Sequence, residues 1–209
     1  MGGGPEIPQI PAIRARYDAL KHIYRTALDN IEETLLNPND LQNLHIKNFP
    51  LPLTYNGHSD PAIEPSFFSP LDENIALKDS DDGFMPKKYP SLEGLKPLYK
   101  ASLMASVVEF NDGDDDRLTC GELLNICEIM MDHFKGYRIH ADSTYIKAPV
   151  MVLSCLGSQH VRILMAHHDG TDLVVRRSEL FGLSWKNVDA LRLFLRWWCS
   201  EGVGDAECI

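Results

Sequence analysis

Four groups of residues in this chain have types and spacing that could do chemistry: a carboxylate closing a β-prone run, an acidic loop, three histidines around one hairpin, and a set of arginines. Glu109 stands near the end of the run Leu103–Phe110, and Asn111-Asp112-Gly113-Asp114-Asp115-Asp116 follows it. Read as an EF-hand from Asp112, the loop needs Gly at its sixth place and Glu at its twelfth. Arg117 and Leu123 stand there instead, so a solvated, self-repelling loop is expected. His160, His167 and His168 flank the hairpin, but adjacent strand residues face opposite ways, so His167 and His168 do not easily share one ion. Arg162, Arg176, Arg177 and Lys186 could make a phosphate patch. In a chain with 20 basic and 30 acidic residues, net charge −10, they read instead as ordinary surface charge.

Cys120, Cys127, Cys155, Cys199 and Cys208 are odd in number and include no C-x-x-C pair, which argues against both a disulfide framework and a zinc site. Reduced thiols fit a cytoplasmic or nuclear protein. No G-x-S-x-G elbow, P-loop, G-x-G-x-x-G or H-E-x-x-H occurs. The start Met1-Gly2-Gly3-Gly4-Pro5 has neither the charged nor the apolar region of a secretory signal, and Glu6 stands where myristoylation wants Ser or Thr. No apolar run reaches about 18 residues, so no membrane attachment is expected.

These groups must be positioned by a core, and 209 residues with 44% hydrophobic content can build one. Residues 1–10 read as a flexible N-terminus. From 11 to 36, Ile13, Tyr17, Leu20, Tyr24, Ala27, Ile31 and Leu35 recur at helical steps, with Pro11 suiting the first turn and Asn37-Pro38 a stop. That stripe is expected to pack on the chain's own core; the sharper reading is a homodimer seam carrying Tyr17 and Tyr24. Residues 37–97 hold nine of the thirteen prolines and read as a loop-rich wrap, with short helices or strands at most, anchored by aromatics.

Residues 98–200 read as the core domain, in the order strand, helix, strand, strand, strand, helix. Thr119 and Glu122 form a capping box for a helix to about Phe134 that is apolar nearly all round. Pro149–Leu156 reads as a central strand, His160–Ala166 as the next, and Leu173–Ser178 as a third whose Arg176-Arg177 suggests an edge. Asn187 caps a last helix, on which Trp197 and Trp198 point about 100° apart, so one can be buried and the other near the surface. Residues 201–209 read as a flexible tail. The fold class is α+β: a mixed β-sheet with a β-meander, flanked by helices, plus the long N-terminal helix and the Pro-rich wrap.

Ser106 to Phe181 resembles the restriction-endonuclease-like, PD-(D/E)XK-type domain that precedes the kinase domain in fungal-type protein kinases. Val107-Val108-Glu109 resembles the strand carrying the E-x-K, and Glu122–Phe134 the following helix. Cys155-Leu156-Gly157-Ser158 with Val161-Arg162-Ile163-Leu164 resembles the "CGS…MRL" strand pair, and His167-His168-Asp169-Gly170 the hairpin turn. No Gly-rich loop, H-R-D or D-F-G follows, so the resemblance implies only the part ahead of the kinase.

The resemblance implies two carboxylates holding Mg²⁺ or Mn²⁺, which polarises a phosphate and activates water, and a lysine stabilising the charge that builds up. Glu109 takes the second carboxylate position, and Asp82 (or Asp79 or Asp81) the first. Asn111 replaces the lysine, and Glu122 and Ile126 stand where some relatives place Gln and Tyr. The preferred expectation is therefore a non-catalytic, nuclease-like interaction or regulatory module that needs no cofactor. Its protein partner would be a kinase domain, met through Trp198 and Phe194. The alternatives are a Mg²⁺- or Mn²⁺-dependent nuclease using Glu109, Asp82 and a migrated Lys87, Lys88 or Lys100, disfavoured as a nucleic-acid binder by the acidic charge, and a homodimeric structural or effector protein.

Overall fold

Val150–Leu156 carries only one strongly polar side chain, Ser154, and a strand of that kind needs cover on both faces. The computed structural model provides it. It describes residues 9–29, 35–53, 67–71, 103–109, 114, 116–137, 147–157, 160–182 and 187–202. The main sheet is built from β1 (Ile46–Pro50), β3 (Leu103–Glu109), β4 (Val150–Leu156), β5 (His160–His168) and β6 (Leu173–Arg177), in the order β1-β6-β5-β4-β3. A short β7 (Phe181–Gly182) pairs with the start of β5. β3 and β4 are parallel, as are β1 and β6, while β5 runs against both its neighbours. The sheet is mixed and the fold is α+β, as expected.

Period-two alternation divides the core. Val150 and Val152 of β4, with Leu164 and Ala166 of β5, face α1 (Gln9–Asp29) and α3 (Cys120–Tyr137). Met151 and Leu153, with Val161 and Ile163, face α4 (Val188–Trp198) and the strap around Phe67 and Phe68. Trp197 is fully buried on that side and Trp198 is 45% exposed, the division expected from adjacent positions on a helix.

The stripe of α1 is spent inside the chain. Leu20, Ile23 and Ala27 are buried in the core formed with α3 and the sheet, and Tyr17 and Tyr24 pack half-buried against it. The helix starts at Gln9 and does not reach 36. Leu35 bridges Thr119, the Leu36 N–H bonds the Leu118 carbonyl, and Asn37-Pro38 starts α2 (Pro38–Asn43) rather than stopping α1. Asn37 Oδ1 accepts from the N–H groups of Asn39 and Asp40, while the Asp40 carboxylate takes the Asn37 N–H. Pro38 at the first turn loses nothing, because its missing N–H would have no helical acceptor.

Two further expectations are corrected. β6 is not an edge strand: β1, from the proline-rich stretch, lies parallel beside it in the register Ile46↔Leu173 to Pro50↔Arg177. Pro50 ends the strand, where a missing donor is tolerated. Nor are the first residues of 201–209 a loose tail, because β8 (Glu201–Gly202) pairs with β2 (Phe68–Ser69). The strap is also tied to α4, since the Leu71 carbonyl accepts from Arg196 Nε and the Leu71 N–H donates to the Arg196 carbonyl.

The hairpin signal Asp169-Gly170 holds for physical reasons. Asp169 Oδ1 accepts from the Thr171 and Asp172 N–H groups, and Gly170 takes a φ of 113°, open to glycine at little cost. Lys47 of β1 reaches across to Asp172 at 2.7 Å and Asp169 at 3.5 Å, fastening the turn to the strand beside it.

Candidate functional site

β1, β3, β4 and β6 all end at one edge of the sheet, where β5 begins and α3 starts. Open sheets of this kind hold ligands and polar clusters outside strand carboxyl ends. Arg162, the third residue of β5, pairs in register with Ser154 of β4. Glu122 lies in the first turn of α3, where Thr119 Oγ1 accepts the Glu122 N–H and Glu122 Oε2 accepts the Thr119 N–H, each at 3.0 Å. This is the capping box read from the sequence, and it aims the carboxylate at β5.

Arg162 meets that carboxylate with both side chains fully buried. Its Nε donates to Glu122 Oε1 at 2.7 Å and its Nη2 to Glu122 Oε2. Nη1 also donates to the Asp114 carbonyl at 2.7 Å and Nη2 to the Arg117 carbonyl at 2.9 Å. One guanidinium thus ties together the helix start, the preceding loop and the sheet, and both carboxylate oxygens are engaged. Arg162 is not surface charge. Its signal in the sequence was a lone charge inside the otherwise apolar run Val161–Ala166.

The described part of the acidic loop is not simply self-repelling. Asp114 Oδ1 accepts the Asp116 N–H at 2.8 Å and Oδ2 accepts from Arg117 Nε at 3.0 Å. That backbone hydrogen bond, with the Arg117 guanidinium behind it, lowers the Asp114 pKa below the usual carboxylate value. Asp116 is 97% exposed and lies 3.7 Å from Nη2 of Arg177. Arg177 is itself buried, and its Nε and Nη1 have no hydrogen-bond partner. Burial first, then the neighbouring Arg162 charge, lowers its pKa below the ordinary arginine value. The surface-charge reading of Arg177 fails because β1 covers the side of β6 that the sequence left open.

Glu109 ends β3 in register with Leu156 of β4, at the same end of the sheet, and nothing further is described of its side chain. Asp82, Asp79, Asp81, Asn111, Lys87, Lys88, Lys100 and Lys186 lie outside the described residues. Among the described residues, no group of three or more His, Cys, Asp or Glu is placed to hold a metal. The interaction candidates separate: Trp198 and Phe194 (9% exposed) sit on α4 on one side of the sheet, and Tyr17 and Tyr24 on α1 on the other.

Searches against protein-family models, curated proteins and solved structures find no match to this chain.

The histidines answer a different question. His167 lies edge-on to Phe67 with ring centroids 5.1 Å apart. Burial lowers its pKa to about 4, with Asp169 opposing and Arg176 adding to the effect, and burial alone takes His133 to about 4. In the unfolded chain both titrate near 6.5. Above that pH neither state holds these protons, so stability is flat in their respect. As pH falls from about 6.5 toward 4, the unfolded chain takes up protons that the fold refuses, and stability declines. The urea midpoint is expected to drop between pH 7 and pH 4.5. His167→Gln should make that drop shallower, and an unchanged pH slope in the variant would refute the assignment.

Proposed function

We propose that this chain is a non-catalytic interaction module on a nuclease-like scaffold, acting through contact with a protein partner such as a kinase domain. The observation that carries the reading is the engagement of Glu122. Its two oxygens take Arg162 Nε, Arg162 Nη2 and the Thr119 N–H, so a carboxylate at this end of the sheet serves the fold rather than a metal. Asn111, two residues after Glu109, adds no positive charge for a phosphoryl transition state. Trp198, exposed at the end of α4, suits an anchor for a partner. Cys127, Cys155 and Cys199 are free thiols, which suits the reducing cytoplasm or nucleus, and no described helix is long and apolar enough to cross a membrane.

The test is incubation with single- and double-stranded DNA and RNA in the presence of Mg²⁺ or Mn²⁺. No cleavage is expected, and no metal-dependent rise in melting temperature. Metal-dependent cleavage that disappears in Glu109→Ala would replace this reading with a nuclease.

A further inference from the structure

Arg162 and Arg177 stand one strand apart on the same face of the sheet, yet only the first is matched by a buried carboxylate. Leu164 of β5 pairs with Arg177, and Arg162 lies two residues before Leu164. Glu122 offsets the Arg162 charge in a fully buried pair. Among the described residues, the carboxylate within ion-pair reach of Arg177 is Asp116, at 3.7 Å and almost wholly in solvent, where water screens the attraction, with Glu122 and Asp114 acting from farther away. Arginine does not escape burial by losing its proton at ordinary pH, and a buried cation short of acceptors is costly. Two of the three Arg177 nitrogens have no partner, and neither do two other buried atoms on this face, Ser154 Oγ and Asn48 Oδ1. Ser154 faces Arg162 in register, and Asn48 lies two residues before Pro50, the partner of Arg177 in β1.

We propose that Arg177 anchors a binding site for a small oxyanion, a phosphate or carboxylate group, beside Asp116 at the carboxyl end of the sheet. The guanidinium supplies the charge and the free N–H donors. A guanidinium suits both phosphate and carboxylate geometry. Because the solvent-facing Asp116 carboxylate lies 3.7 Å from Nη2, the cation sits just under the surface and the ligand reaches it by taking the place of Asp116. Asp116 is therefore a built-in competitor. The site is independent of whether Glu109 does chemistry.

The test titrates the full chain with inorganic phosphate and, separately, acetate, at ionic strength matched with sodium chloride. Binding is followed by calorimetry and melting temperature. Saturable binding of either anion is expected, and whichever binds more tightly names the group the natural ligand carries. Arg177→Gln should weaken binding about tenfold or more, the scale of one charged hydrogen bond. Asp116→Asn, on an exposed side chain that does not threaten folding, should strengthen it several-fold. No saturable binding of either anion, or the same affinity in Asp116→Asn as in the parent, would overturn the proposal. Should Arg177→Gln not fold, the Asp116 variant decides.

Discussion

Replacing Glu122 by alanine is expected to cost about 3–5 kcal/mol of folding stability, because it strands a buried guanidinium. Arg162 would keep its bonds to the Asp114 and Arg117 carbonyls and lose the one formal negative charge bonded to it among the described residues. The same change removes half of the capping box at the start of α3, since the Thr119 N–H donates to Glu122 Oε2. For a domain of this size the loss corresponds to a fall in melting temperature of roughly 10 °C. A double change, Glu122→Leu with Arg162→Met, is expected to be milder than Glu122→Ala, because it removes both desolvated charges together. Urea denaturation of the parent, Glu122→Leu, Arg162→Met and the double variant measures the coupling, with Glu122→Ala measured alongside. A loss below about 1 kcal/mol in Glu122→Ala would mean that water reaches the pair, and the locked carboxylate would no longer argue against metal binding.

Trp197→Ala is the second large effect. Trp197 is completely buried among Met151, Leu153, Ile163, Phe181 and Leu193, in the core that joins α4 to the sheet. Emptying a site of this size costs about 3–5 kcal/mol. The tryptophan indole N–H is buried without a hydrogen-bond partner. Trp197→Phe therefore gives up volume but also removes a stranded donor, whose burial costs about 1–3 kcal/mol. Its loss should be clearly smaller than that of Trp197→Ala. The neighbouring Trp198→Ala, on an exposed side chain, should stay within about 0.5 kcal/mol of the parent. Chemical denaturation of the three variants checks the ordering, and equal losses for Trp197→Ala and Trp198→Ala would contradict the assignment of one to the core and the other to the surface.

The candidate site divides in the same way between what is local and what is not. The capping box was readable because Thr119 and Glu122 are three residues apart and the hydrogen bonds close within one helical turn. That Glu122 would meet Arg162 was not, since forty residues separate them and only the packing of α3 on the sheet brings them together. The proline-rich stretch hid β1, because its five residues become a strand only when β6 supplies the hydrogen bonds. Missing that strand also misplaced Arg177, taken for an edge charge and found buried.

Short-range order is written in this chain residue by residue: the alternation and apolar runs of β4 and β5, the Asp169-Gly170 turn, the Asn187 cap and the opposed tryptophans of α4 all follow from neighbours a few positions apart. Which charges are buried, and against what, was decided by the tertiary structure. Desolvation and pairing depend on strands and helices brought together from distant parts of the chain, and the same arginine is a surface charge or a buried cation according to what packs over it.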